Sequence, residues 1–233
     1  MTTMLKLERV GKSFTLHVQG GVEIPVFEDL ELSVDAGECV ALTGSSGVGK
    51  TTLMRMIYAN YTVPEGRILV RHGDDWVDMA SAHPHAVLEV RRRTMGYVSQ
   101  FLRVVPRVPA IDIVAEPLRA LGTDVEAARD KAAELLTRLN VPERLWSLSP
   151  MTFSGGEQQR VNIAHGVAHP YPVLLLDEPT ASLDAENRAV VLSLIDEARA
   201  RGAAIVGIFH DQEARDAVTT RSFSTADYTR AAA

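Results

Sequence analysis

The sequence of 233 residues contains one cysteine, few aromatic residues and no long apolar run. Cys39 lies within the apolar stretch 38–42, which predicts a buried core position. A single cysteine excludes a disulfide framework within the chain and suits a reducing compartment. It also cannot hold an iron–sulfur cluster unaided, because such clusters take several cysteine ligands. We therefore expect neither disulfide stabilisation nor cluster-based radical chemistry from this chain.

The chain also lacks an excess of positive charge. It has 24 Lys and Arg against 30 Asp and Glu, a formal net charge of −6, which argues against broad electrostatic binding to nucleic acid. Its apolar runs are of strand length, far below the roughly 20 residues of a membrane helix. No apolar stretch with a small-residue cleavage site opens the chain, so no signal peptide is predicted. We expect a cytoplasmic protein with no nucleic-acid partner and no direct membrane insertion.

What the sequence does contain is a regular series of strand patterns. Residues 3–35 alternate apolar and polar positions, which predicts antiparallel strands with a turn at Gly20-Gly21. A second hairpin is predicted over 66–79, with Gly73-Asp74-Asp75 as its turn. Continuous apolar runs predict buried parallel strands. These runs are 38–43, 96–99, 172–176 and 203–209. Helices are predicted between them, at 51–58 and 185–201.

The middle of the chain is predicted to be helical. The pattern Thr123-Asp124-Val125-Glu126 resembles a capping box, and Asn140 and Pro142 stop the helix that follows. One apolar face is predicted on this helix, made of Val125, Ala128, Ala132, Leu135, Leu136 and Leu139. We expect one domain over 1–233, in which a helical subdomain at about 101–150 is inserted into a nucleotide-binding core formed by 1–100 and 151–233. The Ala-, Thr- and Ser-rich end, 219–233, is predicted to be frayed.

A phosphate-binding loop follows the strand 38–43. The pattern G-x-x-x-x-G-K-[ST] is matched by Gly44, Gly49, Lys50 and Thr51. Glycines let backbone N–H groups surround phosphate oxygens, and the following helix directs its positive end at them. The candidate ATP-binding residues of this loop are Gly44, Ser45, Ser46, Gly47, Val48, Gly49, Lys50, Thr51 and Thr52. Phe14 is either a stacking platform for adenine or an ordinary core aromatic.

Polar residues that suit ATP hydrolysis follow three other predicted strands. Asp177 and Glu178 end an apolar strand, where burying two carboxylates without a function is costly. We assign Asp177 to Mg²⁺, together with Thr51, and Glu178 to the attacking water as general base. Gln100 can touch Mg²⁺ or that water. His210 can contact the γ-phosphate and completes the catalytic candidates, although a lone histidine after a strand is more often structural.

A second phosphate-binding element is predicted at 154–160. Ser154 should cap a helix, and Gly155 and Gly156 would leave its first N–H groups bare for an anion. Glu157 and Gln158 complete this signature segment. Because the chain already has one phosphate site, the second one is best explained by the γ-phosphate of an ATP held by another copy.

Together these motifs resemble the ATP-binding cassette (ABC) ATPase family over the whole chain. The resemblance implies an α/β fold: a P-loop NTPase of ABC type with an N-terminal antiparallel β subdomain and an inserted helical subdomain. It implies ATP and Mg²⁺ as cofactors, and a homodimer or other ABC-type dimer that closes on two ATP molecules. A dimer loop would then be formed by Ala181, Ser182, Leu183 and Asp184.

Segments outside these motifs are similar to one branch of the family, the ATP-binding subunits of bacterial carbon–phosphorus lyase systems, which break down phosphonates. They are 27–39, 58–61, 72–78, 98–104, 136–146 and 202–211. This resemblance implies a soluble enzyme assembly as partner, including a second ABC protein, and a role linked to forming ribose 1-phosphonate 5-triphosphate. His165 departs from the family pattern, which usually has Arg there.

Other functions stay open at this point. A transporter ATPase would have the same ATP residues, so only the surface formed by 101–109 and the hairpin near Trp76 can discriminate. A module acting on nucleic acid is disfavoured by the acidic charge balance. The run 91–93, all arginine, fits either a solvated helix face or a contact with an acidic partner. His83 and His85 are spaced like metal ligands but lack Cys or acidic neighbours.

Overall fold

The computed structural model describes residues 2–16, 22–102 and 106–229, and these form two sheets with helices around them. The strands are β1 (Thr3–Leu16), β2 (Val22–Asp35), β3 (Cys39–Thr43), β4 (Glu65–His72), β5 (Asp75–Asp78), β6 (Met95–Val98), β7 (Val173–Asp177), β8 (Ala204–Ile208) and β9 (Arg221–Ser224). The helices are α1 (Lys50–Ile57), α2 (Pro84–Arg93), α3 (Ala110–Ala120), α4 (Val125–Arg138), α5 (Glu143–Trp146), α6 (Gly155–Val167), α7 (Ala185–Ala200) and α8 (Gln212–Val218). The predicted strands and helices are thus present, with ends shifted by one or two residues.

One sheet is antiparallel, in the order β2-β1-β4-β5. The alternating pattern of 3–35 gives the long pair β1 and β2, as predicted, while the proposed turn at Gly20-Gly21 lies outside the described residues. In the second hairpin His72 pairs with Asp75, so Asp75 belongs to a strand and not to the turn. Gly73, with φ 63°, supplies the left-handed backbone that this tighter turn requires.

The other sheet is parallel, in the order β6-β7-β8-β3-β9. All five residues of β7 and of β8 are buried, which explains their continuous apolar sequences. Cys39 in β3 is fully buried as predicted, and burial raises the pKa of its thiol to about 12. Because parallel strands end at the same edge, the residues that follow β3, β6, β7 and β8 meet there.

The predicted frayed end is wrong over most of its length. Strand β9 pairs with β3 from Val40↔Arg221 to Thr43↔Ser224, and a 3₁₀ turn, Thr225–Tyr228, follows it. The hydroxyl of Thr225, a fully buried residue, donates to Thr43 O at 3.1 Å. Strand pairing and this buried contact keep the segment ordered, although its short, polar sequence lacks the alternation of apolar and polar residues typical of a strand. Residues 230–233 lie outside the described part of the chain.

The helices α3 and α4 pack against each other and against α6. Five members of the predicted apolar face of α4 are buried, but Val125 is 46% exposed because it is the first helical residue and precedes the packed turns. The predicted capping box is also wrong. Asp124 is the cap and accepts from Glu126 N and Ala127 N, because its carboxylate reaches both first-turn donors. Asn140, at φ 54°, ends this region as predicted.

No helix within the described ranges is both long and apolar enough to span a bilayer.

Candidate functional site

The phosphate loop joins β3 to α1, and its glycines are required by geometry. Gly44, Gly47 and Gly49 have φ of 135°, 83° and 95°, which side chains rarely adopt. A Cβ on Gly44 would lie 2.7 Å from Val48 Cγ1, and one on Gly49 would lie 2.6 Å from Phe27 Cζ. The loop therefore closes tightly, and α1 begins at Lys50 with its positive end towards it.

The side chains that leave the start of α1 point to two different parts of the site. Lys50 Nζ donates to Gly44 O at 2.7 Å and to Ser45 O at 2.8 Å, so its ammonium lies across the loop. Thr51 Oγ1 lies 3.4 Å from Asp177 Oδ1, at the end of β7. The two residues predicted to hold Mg²⁺ from separate motifs are thus neighbours.

Asp177 is a carboxylate only 1% exposed. Tyr97 donates its hydroxyl to Asp177 Oδ2 at 3.3 Å. Burial raises the pKa of Asp177, and the charge of Glu178 raises it further, so both disfavour the ionised form. Carboxylate, hydroxyl and amide oxygens are ligands that suit Mg²⁺, which takes one or two carboxylates and completes its shell with water and phosphate. The residues present fit that ion. No cluster of three or more His, Cys, Asp or Glu fit for a metal occurs within the described ranges.

Glu178 is the point at which the other catalytic candidates meet. Gln100 Nε2 donates to Glu178 Oε2 at 3.2 Å, and His210 Nε2 lies 2.7 Å from Glu178 Oε1. These three residues follow β6, β7 and β8, so they converge because the strands end at one edge. Glu178 also has φ 56°, a left-handed conformation that is unfavourable for a residue with a side chain. Such strain is typical of functional positions.

The signature segment opens α6 as predicted. Ser154 and Glu157 form a reciprocal capping box: Ser154 Oγ lies 3.4 Å from Glu157 N, and Glu157 Oε2 accepts from Ser154 N at 2.9 Å. Ser154 and Gly155 are exposed, so the first N–H groups of the helix are accessible. Gln158 is held by a bond to Phe153 O at 3.1 Å.

The predicted dimer loop packs against this helix start. A Cβ on Gly156 would lie 3.1 Å from Ser182 O, so glycine permits the close approach. Leu183 is buried, while Ser182 and Asp184 are exposed. Asp184 caps α7 by accepting from Asn187 N at 2.8 Å. Signature and dimer loop therefore form one continuous, partly exposed surface.

Phe14 is half-buried. Its ring meets Tyr61 edge-on, with centroids 5.7 Å apart, and Lys12 Nζ lies 5.0 Å from its centroid. Its assignment to adenine stays a prediction.

The structure also reveals residues that the sequence reasoning missed. Gln159 and Asn162 are buried amides on α6, and Arg188 on α7 pairs with Asp211, next to His210, at 2.7 Å. The available signal was that an amide at a core-facing position of a helix needs a buried hydrogen-bond partner. Tyr97, a polar aromatic ending an apolar strand, carried a weaker signal of the same kind.

The remaining candidates have structural partners within the chain. Arg91 donates through Nε to Tyr58 O at 2.8 Å and stacks over the Tyr58 ring, so it is not part of a solvated face. Arg92 and Arg93 are exposed and pair with Glu89. His165 lies 3.6 Å from Glu116 and lines a cavity together with Gln100 and Asp177. The stacked rings of His83 and His85 meet no third ligand among the described residues.

The chain belongs to the ABC transporter family, because the model of that family matches residues 27–181. It is 32% identical to the ABC transporter ATP-binding protein YvrO of Bacillus subtilis, over 90% of this chain and 88% of that protein. It is 36% identical to the lipoprotein-releasing system ATP-binding protein LolD of Maricaulis maris, over 90% and 89%. The macrolide export ATP-binding/permease protein MacB of Brucella melitensis is 34% identical, but the chain spans only 31% of its length.

Solved structures agree with this assignment. The ATP-binding cassette MJ0796, in a dimeric post-hydrolysis state bound to ADP and Pi, has a TM-score of 0.85 and 27% identity, covering 96% of this chain and 95% of that one. A second dimeric structure of MJ0796 gives the same values. The predicted ABC-type P-loop fold is therefore confirmed, and the dimeric neighbours support dimerisation of ABC type.

Proposed function

We propose that this chain binds and hydrolyses MgATP as one half of an ABC-type dimer. The observation that carries the proposal is the convergence of Gln100 and His210 on the carboxylate of Glu178, beside the pair Thr51 and Asp177. In this proposal Glu178 would act as the general base, with the Gln100 amide and the His210 imidazole within hydrogen-bonding distance of its carboxylate. Residues 44–49 and Lys50 would hold the phosphates.

Each residue has a defined task in that reaction. Thr51 and Asp177 would hold Mg²⁺, with Gln100 at its edge, and the bound ion supplies positive charge to the phosphate oxygens. Glu178 accepts the proton of the attacking water at a carboxylate oxygen. His210 contacts the γ-phosphate while its Nε2 orients Glu178. Ser154 and the bare N–H groups after it would bind the γ-phosphate held by the partner subunit.

Replacing the base tests this assignment. Glu178→Gln keeps the shape of the side chain and its contact with His210 but cannot accept a proton, so phosphate release should fall by about 10²–10⁴-fold. ATP binding should persist, and the variant should accumulate as an ATP-bound dimer in size-exclusion chromatography. The matched control is Glu134→Gln, an exposed carboxylate paired with Lys131, which should hydrolyse ATP at the normal rate. A Glu178→Gln rate within twofold of the unaltered protein contradicts the assignment.

The proposal extends to the assembly that the chain serves. We propose a carbon–phosphorus lyase system that degrades phosphonates, with the chain in the position of the subunit PhnL, alongside a second ABC protein. Support comes from the segments similar to PhnL that ATP binding does not require, such as 72–78 and 136–146. The activity would then be linked to the synthase that forms alpha-D-ribose 1-methylphosphonate 5-triphosphate.

A second candidate is the ATPase of a transporter. The specific observation in its favour is that the relatives named above include an ABC transporter ATP-binding protein and an export ATP-binding/permease protein. The two candidates share the ATP site and differ in partner. Purification of the tagged protein from its host, grown with a phosphonate as phosphorus source, separates them. Recovery of lyase subunits supports the first candidate, and recovery of permease subunits without lyase components overturns it.

A further inference from the structure

Helix α6 carries two buried amides on one face. Gln159 is 6% exposed and Asn162 is 4% exposed, and their spacing of three residues places them side by side. Gln159 Nε2 lies 3.3 Å from both Glu178 O and Pro179 O. Asn162 Nδ2 donates to Ser99 O at 2.5 Å. The amides therefore hold the backbone at or beside the two residues, Gln100 and Glu178, whose side chains meet.

These contacts are more specific than packing requires. A core-facing position of a helix is filled at lower cost by an apolar side chain, because a buried amide must find partners for its polar atoms. Here the partners are carbonyls of two different loops at the sheet edge. One of them belongs to Glu178, whose left-handed φ of 56° needs support from its surroundings.

The same helix begins at the signature, on the amino-terminal side of the two amides. It runs without interruption from Gly155 to Val167, and Ser154 caps it. The amides thus lie within a turn or two of the residues that would touch the partner's nucleotide. A helix moves as a rigid element, so a shift of its amino end displaces both amides and the carbonyls bonded to them.

We propose that Gln159 and Asn162 are positioning residues that couple the signature of a subunit to the Glu178–Gln100 pair of that same subunit. The inference rests on the proposed role of Glu178. Docking of the partner's nucleotide against Ser154 would set the position of α6, and the two amides would then set the backbone of the catalytic pair.

The test separates positioning from a general loss of stability. Gln159→Met keeps volume and removes both hydrogen bonds, so we expect kcat to fall by between about 10-fold and 10²-fold, as for small displacements of a catalytic group. KM for ATP should stay within about twofold, because the phosphate loop is untouched. The control is Thr94→Val, which removes another buried hydrogen bond, Thr94 Oγ1 to His72 Nδ1 at 2.6 Å. Thr94→Val should lower the melting temperature about as much as Gln159→Met does, but it should leave kcat unchanged.

A double variant distinguishes this inference from the function on which it rests. If Gln159 acts through Glu178, then Gln159→Met should cause no further loss in the Glu178→Gln background. A full additional loss overturns the inference, as does an unchanged kcat in Gln159→Met while Glu178→Gln is inactive. A normal rate in Glu178→Gln overturns the proposed function instead. Should Gln159→Met not fold, Asn162→Ser tests the same coupling through Ser99, and a folded Asn162→Ser with normal kcat contradicts it.

Discussion

The carboxyl edge of the parallel sheet and the surface around Phe101 and Trp76 differ in how closely their residues are held. At the edge, Asp177 is buried and bonded from two sides, and Glu178 is bonded through both carboxylate oxygens. One residue beyond Gln100, Phe101 is 75% exposed. Trp76 is exposed as well, with Lys6 Nζ 5.3 Å from its ring centroid. ATP chemistry constrains the first region in detail and leaves the second free.

This difference explains why the ATP site cannot identify the assembly. Any protein that binds and hydrolyses ATP in this way needs the same polar groups at the same edge of the sheet, whatever process the hydrolysis drives. An exposed aromatic side chain has no such requirement, and aromatic residues are enriched where proteins bind partners. We therefore expect the partner to be recognised by exposed residues such as Phe101 and Trp76.

The largest effect is expected when the exposed region alone is altered, because partner binding and ATP turnover should then respond differently. Phe101→Ser should weaken binding to the assembly by about tenfold or more, as truncation of an aromatic anchor does. ATP turnover of the isolated protein should stay within about twofold, since no catalytic contact passes through the ring. The measurement is capture of partner subunits alongside a phosphate-release assay. Leu88→Ser, at another exposed apolar residue on α2, is the control and should retain partners. Partner capture that survives Phe101→Ser would remove this residue from the docking surface.

A smaller effect is expected from Asp177, because its burial disfavours the ionised carboxylate and so lowers the stability of the folded protein. Because burial raises the pKa of Asp177, the folded protein binds this proton more tightly than the unfolded chain does. Its contribution to the free energy of unfolding therefore falls as the pH rises from below the ordinary Asp pKa to above the raised one. Asp177→Asn should raise the melting temperature of the protein without ATP or Mg²⁺ by about 2–4 °C at neutral pH. Thermal unfolding across pH checks this, and an unchanged or lower melting temperature contradicts it.

The smallest effect concerns the support of the phosphate loop by the end of the chain. Thr225→Val keeps volume but removes the bond to Thr43 O, next to Gly44, and should lower the free energy of unfolding by about 1 kcal/mol. Thr225→Ser retains the hydroxyl and is the matched control. Denaturant unfolding of the two variants measures the difference. Equal stabilities would show that the hydrogen bond contributes nothing.

Much of the fold follows from the sequence because its signals are local. The apolar runs of β7 and β8, the alternation of β1 and β2 and the glycines at 44, 47 and 49 each reflect the conformation of their own segment. Some errors arose where a distant contact decides, and others where neighbouring residues compete for one local position. Strand β9 is ordered by pairing with β3, far away in the chain, and Asp124 replaces Thr123 as cap because its carboxylate reaches both first-turn donors.

The candidate site also contains residues that the sequence predicts and residues that it does not. Lys50, Thr51, Asp177 and Ser154 stand in motifs whose chemistry can be read directly. Gln159 and Asn162 have no such context, because their function depends on carbonyls contributed by other loops. Only the folded chain brings Ser99 and Pro179 next to α6.

The proposed function requires that each ATP site is built from the phosphate loop of one subunit and the signature of another. Lys50→Met removes the cation that would face the phosphates, and Ser154→Arg would block the signature with a bulky side chain. Each variant alone should be inactive. Mixed in equal amounts, they form some dimers that contain one intact site, with Lys50 from one subunit and Ser154 from the other.

Phosphate release by that mixture is the most direct measurement. We expect recovery to at most about a quarter of the normal rate, since half of the dimers are mixed and each has one working site. Normal phosphate release by dimers of Ser154→Arg alone would contradict a site shared between subunits.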